Sequence, residues 1–125
     1  MIGAAIEVHR VLGGPGLLES VYEEALCFEL REAGLFVERQ KPVPIVYKGN
    51  MLDADFRLDL LVERKVIVEC KATSVYNSIF QSQALTYLRL LYLKLALVFN
   101  FGEKLVKDGI HRVVVVLEVL LLRAR

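Results

Sequence analysis

At 125 residues the chain has room for one hydrophobic core and not two, and an apolar content of 55% predicts a well-buried sheet, a partner surface, or both. Its 16 Lys and Arg against 15 Asp and Glu leave a net charge of +1, which excludes a global electrostatic pull toward nucleic acid; such a contact needs a local basic patch. The two cysteines, Cys27 and Cys70, have no paired metal-ligand spacing, which argues against a zinc site or a disulfide framework and predicts free thiols in a reducing compartment.

Residues 2–12 place Ile2, Ala5, Ile6, His9 and Leu12 at helical spacing and predict a short amphipathic helix. This start has no basic region and is interrupted by Glu7, so it does not read as a signal peptide. No apolar run reaches the ~18 residues of a membrane span, so no membrane partner is expected and the cytoplasm is the default location. His9 is expected to pack or to lie at the surface, because no Ser or Cys motif offers it a nucleophile. Gly13-Gly14-Pro15-Gly16 is a hard break. A second helix is predicted from Leu17 to Ala33, stopped by Gly34, with Glu19, Tyr22, Leu26, Leu30 and Ala33 in one row toward the core. Glu19 at its start reads as a helix-start acid, with Gly16 as the N-cap, stabilised by the free backbone N–H groups.

Residues 35–47 alternate in the manner of a strand, which Pro42 and Pro44 must bend or place at an edge. After a turn at Lys48-Gly49-Asn50, a second strand from Met51 is expected to run through Asp53, Asp55 and Phe56 into a hairpin spanning residues 57–71. There, the apolar runs Leu58–Val62 and Val66–Val68 flank Glu63-Arg64-Lys65, but Asp59, Glu69 and Lys71 interrupt them. Side chains alternate along a strand, so Glu69 and Lys71 share a face and Cys70 points to the other. With a three-residue loop centred on Arg64, Asp59 falls opposite Glu69 and all three charges converge. Opposed carboxylates destabilise a hairpin unless something compensates, and a divalent cation held by both would do so. The alternative is a pair of exposed acids on a wet sheet face, with Asp53 and Asp55 beside them.

The chain then leaves through a polar loop, residues 72–78, with Ser78 placed to cap a helix over residues 79–92. That helix carries Phe80, Ala84, Tyr87, Leu88 and Leu91 on one face, with Gln83 one turn before Tyr87. Leu95–Phe99 reads as a buried strand, Asn100-Phe101-Gly102 as its end, 103–108 as a loop and 111–117 as a last strand. The tail from Val119 to Arg125 is apolar and β-prone, suited to pairing with a second copy or left as an exposed liability. The pattern alone gives a mixed α/β domain.

Asp59 followed by Glu69-Cys70-Lys71 resembles the PD-(D/E)XK nuclease signature. Gly16-Leu17-Leu18-Glu19-Ser20-Val21-Tyr22 resembles the name-giving motif of the bacterial GxxExxY proteins, a branch of that superfamily, and Gln83-Ala84-Leu85-Thr86-Tyr87 resembles the QxxxY helix motif of exonuclease-like members. The likeness runs in order from the first residues to about Val114, leaving 115–125 as an extension. It departs at the extra glycine before Pro15 and at Phe80, where the family often has His. The resemblance implies a restriction-endonuclease-like αβββαβ core, a central mixed sheet flanked by helices, and phosphodiester hydrolysis with Mg²⁺ or Mn²⁺. It implies Asp59 and Glu69 as metal ligands, the Cys70 backbone carbonyl completing the shell and Lys71 stabilising charge. Glu19 then becomes a second candidate ligand, while Gln83, Tyr87 and Tyr22 would position substrate, Tyr22 alternatively serving only to pack. Nucleic acid, DNA before RNA, is the implied partner, and so short a chain points to a homodimer or a partner protein for recognition. The competing class is a fold that has lost catalysis and kept a binding or interaction role.

Overall fold

The computed structural model describes residues 1–116, so residue 117 of the expected last strand and the apolar tail lie outside the described residues. The elements run α1 (Ile2–Val11), α2 (Glu19–Glu32), β1 (Val37–Pro42), β2 (Val46–Tyr47), β3 (Asn50–Met51), β4 (Arg57–Val62), β5 (Val66–Lys71), α3 (Ile79–Leu91), β6 (Leu95–Asn100) and β7 (Ile110–Val114), with a 3₁₀ turn at Val106–Gly109 before β7. Five strands form one sheet in the order β1-β4-β5-β6-β7. Only β5 and β6 are parallel within it, joined by the α3 crossover that a parallel pair requires. The fold is the expected mixed α/β arrangement.

Apolar runs put β4, β5 and β6 in the middle of the sheet, because residues such as Ile67, Val68, Ala96, Val98 and Phe99 need cover on both faces. Leu60, Val62, Val68, Cys70, Leu97 and Phe99 pack against Ala5, Val8, Leu26 and Leu30 of α1 and α2. Leu61, Ile67, Ala96, Val98 and Val113 pack against Ala84 and Leu88 of α3 on the other face. Both cysteines are buried and unpaired, as expected.

Three local expectations are corrected. The strand over residues 35–47 and its continuation from Met51 into the hairpin are broken: β1 ends at Pro42, β2 and β3 form a separate two-stranded ribbon, and residues 52–56 are irregular. The prolines remove ladder donors, so this segment is held by isolated bonds, Val43 N–H to Phe56 O and Leu52 N–H to Ile45 O. Asp53 and Asp55 are therefore not on a strand; both are exposed, and Asp55 pairs with Arg57 at 2.9 Å. Helix α2 starts at Glu19, with Leu18 as an extended N-cap, so Gly16 does not cap it and Glu19 is not three residues inside. Ser78 makes no capping bond; the Asn77 carboxamide oxygen accepts the Ile79 N–H at 2.9 Å instead.

Tyr22 explains the displaced helix start. Its O–H donates to Gly14 O at 2.7 Å and accepts the Leu17 N–H at 3.2 Å, while its ring stacks on Phe101 at 4.7 Å. The residue is fully buried, the packing role that the sequence left open beside substrate positioning: it staples the glycine-rich turn to the core. Tyr22→Phe should lower stability by about 1–2 kcal/mol, read by denaturant unfolding, because Gly14 O and Leu17 N–H lose a buried partner. His9 packs beside it, buried, with Nε2 3.1 Å from Phe101 O.

Candidate active site

The hairpin register is the expected one. Leu60 faces Val68, Leu61 faces Ile67 and Val62 faces Val66, which centres the loop on Arg64 and sets residue 59 opposite residue 69. Glu63 and Arg64 turn the chain with φ of 54° and 55°.

The strands part company at Asp59. On the β5 side, backbone pairing stops at Leu60 and Val68. On the β1 side, Arg39 faces Leu60 and Lys41 faces Leu58, but Gln40, with φ 53°, drops out of the ladder between them. Alternation breaks too: Leu58 and Leu61 both pack toward α3, whereas Leu60 packs toward α2. Side chains replace the missing ladder. Asp59 Oδ2 accepts the Cys70 N–H at 2.7 Å, and Glu69 Oε1 accepts the Asp59 N–H at 3.4 Å. A half-buried Asp59 and a buried Glu69 are thereby held together at the end of the hairpin.

The electrostatics follow from this closeness. Burial first, and the Asp59 charge second, push the Glu69 carboxyl up to about 9, partly offset by Lys71. Lys71 is half-buried, its Nζ 4.7 Å from the centre of the Phe80 ring, so an aromatic face occupies the position where the resemblance leads one to expect His. Burial, then Asp59 and Glu23, raise the Cys70 thiol well above its ordinary value, which removes thiolate chemistry. Tyr87 lies close enough that Glu69 and Asp59 add to the effect of burial in raising its hydroxyl, and its ring meets Phe56 edge-on at 6.3 Å.

A third acid joins the pair, and it is not Glu19. Glu23 is buried, and its carboxyl is raised by burial and by Asp59. Its Oε2 accepts from Arg39 Nε at 2.7 Å and its Oε1 from the Gln40 amide at 2.8 Å. Gln40 leaves the β1 ladder and meets Glu23 with its side chain. The sequence signal was an acid on the core-facing stripe of α2, one turn before Cys27, with Arg39 and Gln40 as polar partners on an otherwise β-prone strand. Glu19 is exposed at the first turn of α2, near enough for its charge to reach Cys70 but not in the row of contacts. Gln83 is exposed, one turn of α3 before Tyr87, and its side chain makes no hydrogen bond among the described residues.

Among the described residues no three His, Cys, Asp or Glu side chains are arranged to hold one ion. Both oxygens of Glu23 are already taken, by Arg39 and Gln40. Asp59 and Glu69 nevertheless fit a hard divalent cation: they are adjacent oxygen donors short of positive charge, and such ions take further ligands from water, backbone oxygen or substrate phosphate.

The exit of β5 is clamped from β6. Lys71 lies in register with Asn100, which is fully buried. Asn100 Oδ1 accepts the N–H groups of Thr73 and Gly102, at 3.1 and 3.0 Å, and its Nδ2 donates to Thr73 O at 3.0 Å. A Cβ on Gly102 would stand 2.2 Å from Thr73 O, so only glycine lets the two loops lie this close.

No helix among the described residues is long and apolar enough to cross a membrane. No curated protein and no solved structure matches the chain. The family model of the PD-(D/E)XK nuclease superfamily matches residues 1–113, over both the acid pair and the helices that cover it. The Asp59, Glu69 and Lys71 constellation thus stands inside a chain that belongs to the PD-(D/E)XK nuclease superfamily.

Proposed function

We propose that the protein is a divalent-metal-dependent nuclease of the GxxExxY type, cutting phosphodiester bonds in nucleic acid, with DNA as the first substrate. The observation that carries this reading is the opposed Asp59 and Glu69 pair, its Glu69 carboxyl pushed up to about 9, with Lys71 on the same strand. Asp59 and Glu69 would hold Mg²⁺ or Mn²⁺, with the Cys70 backbone carbonyl beside them and Glu19 reaching a more distant position. When bound, such an ion activates water and polarises the phosphate. Glu23, fixed by Arg39 and Gln40, brings a further buried carboxyl near Asp59 from the α2 side, close enough for the Asp59 charge to help raise it. Lys71 stabilises the charge that develops on the phosphate. Gln83 and Tyr87 stand along α3 to orient the strand being cut.

A second reading is an inactive interaction module, and the contact of Lys71 with Phe80 favours it by turning the ammonium toward an aromatic face. The readings separate in a cleavage screen with Mn²⁺ over linear and circular DNA and over RNA. Lys71→Ala should lower cleavage about 10²- to 10³-fold with Mn²⁺ affinity little changed. A native chain that binds Mn²⁺ and cuts none of these substrates would establish the second reading.

A further inference from the structure

Strands β5 and β6 are parallel, so their carboxyl ends and following loops emerge at one edge of the sheet. Ligands of open α/β sheets bind at that edge. Lys71 ends β5, and the loop after β6 carries Lys104 and Lys107. The Asn100 clamp and the close approach of Gly102 to Thr73 hold these two loops side by side. His9 Nε2 against Phe101 O brings the end of α1 to the same place.

Two concavities lie there. One, of about 500 Å³, is lined by Ala72 and Ser74, just past Lys71, with Gly102 and with Pro15-Gly16-Leu17. The other, of about 450 Å³, is lined by Lys104, Lys107, Arg10 and His9 and by Gly13 and Gly14. The Gly13–Gly16 turn therefore borders both, with Pro15 and Gly16 on the first and Gly13 and Gly14 on the second. Arg10 is engaged with Glu7 at 2.7 Å, whereas Lys104 and Lys107 are exposed and make no ion pair among the described residues. Asp108 is exposed on the same turn but does not line the cavity; the Glu103 side chain lies over Gly109.

We propose that Lys104 and Lys107 form a backbone-phosphate subsite, holding a nucleic-acid strand that continues from Lys71 across the Gly13–Gly16 turn. The assignment rests on the nuclease reading for its substrate class but not for its chemistry. A chain with a net charge of +1 can recruit a polyanion only where unpaired cations stand together, and among the described residues Lys104 and Lys107 do so at the edge where β5 and β6 end.

The test is fluorescence anisotropy with fluorescein-labelled single- and double-stranded DNA oligonucleotides in EDTA, where no cleavage occurs and the acid pair holds no metal. Lys104→Ala with Lys107→Ala should bind roughly tenfold more weakly at low salt and reduce the slope of log K against log salt by about 2, close to one per phosphate contact. The control is Lys65→Ala with Lys94→Ala, which removes two lysines from a pocket at the opposite edge and should leave the slope unchanged. An unchanged slope in the Lys104 and Lys107 variant, an equal loss in the control, or no binding by the native chain overturns the subsite. If the salt slope falls as expected but the native chain cuts nothing with Mn²⁺, the subsite stands and the nuclease reading falls.

Discussion

Glu69→Gln should make the metal-free protein more stable at pH 8 while removing its affinity for divalent cations. Glu69 is buried beside Asp59, and its folded-state carboxyl titrates near 9 against an ordinary 4.5. A folded value above the unfolded one means the neutral form is favoured by folding. That contribution is complete below about pH 4.5 and is lost as pH rises through 9. The native chain should therefore lose stability steadily from pH 5 to pH 8. Glutamine keeps the neutral shape and carries no charge to bury, so the variant should resemble the native chain at pH 5 and exceed it at pH 8 by about 2–4 kcal/mol. Thermal melts at both pH values in EDTA read this directly, and equal melting points at pH 8 would remove the buried-charge account. Added Mn²⁺ should raise the melting point of the native chain and not that of the variant.

Asn100→Ala should cost about 3 kcal/mol, since it deletes three hydrogen bonds and leaves the N–H groups of Thr73 and Gly102 and the Thr73 carbonyl without partners. For a domain of this size that corresponds to a fall in Tm on the order of 10 °C by calorimetry. Asn100→Asp keeps the acceptor but sets a buried carboxylate against the Thr73 carbonyl, so it should not restore native stability at pH 8. Because Asn100 faces Lys71 in register, the alanine variant should also lose more cleavage than metal affinity. A Tm within 2 °C of native, outside the ~10 °C expected, would mean that the two loops hold each other without the clamp.

The acid pair was legible because a three-residue loop, taken in preference to a two-residue one, sets Asp59 opposite Glu69, and the observed pairing has that register. The central strands were legible because apolar runs with no polar face need cover on both sides. Glu23 was hidden because its importance depends on Gln40 leaving the ladder at φ 53°, a backbone choice that no local pattern announces. Asn100 reads in sequence as a strand end; only the parallel register puts it against Lys71 and Thr73. The segment 42–56 misled for a related reason: alternation favoured a strand, but Pro42 and Pro44 removed the donors a ladder needs, and isolated bonds decided its path. Tyr22 stood in a row headed by an acid, and its hydroxyl was claimed by a turn eight residues earlier.

The central claim, a divalent-cation site on the opposed acids, is tested most directly by Mn²⁺ titration calorimetry at pH 8 on the native chain, Asp59→Asn and Glu69→Gln. The account predicts one site in the native chain, with proton release that makes the enthalpy depend on the buffer, because Glu69 starts protonated below about 9. It predicts that binding is lost in both variants while their melts show a folded protein. A native chain that takes up no Mn²⁺ with the metal in large excess, or variants that bind it as the native chain does, would contradict the account.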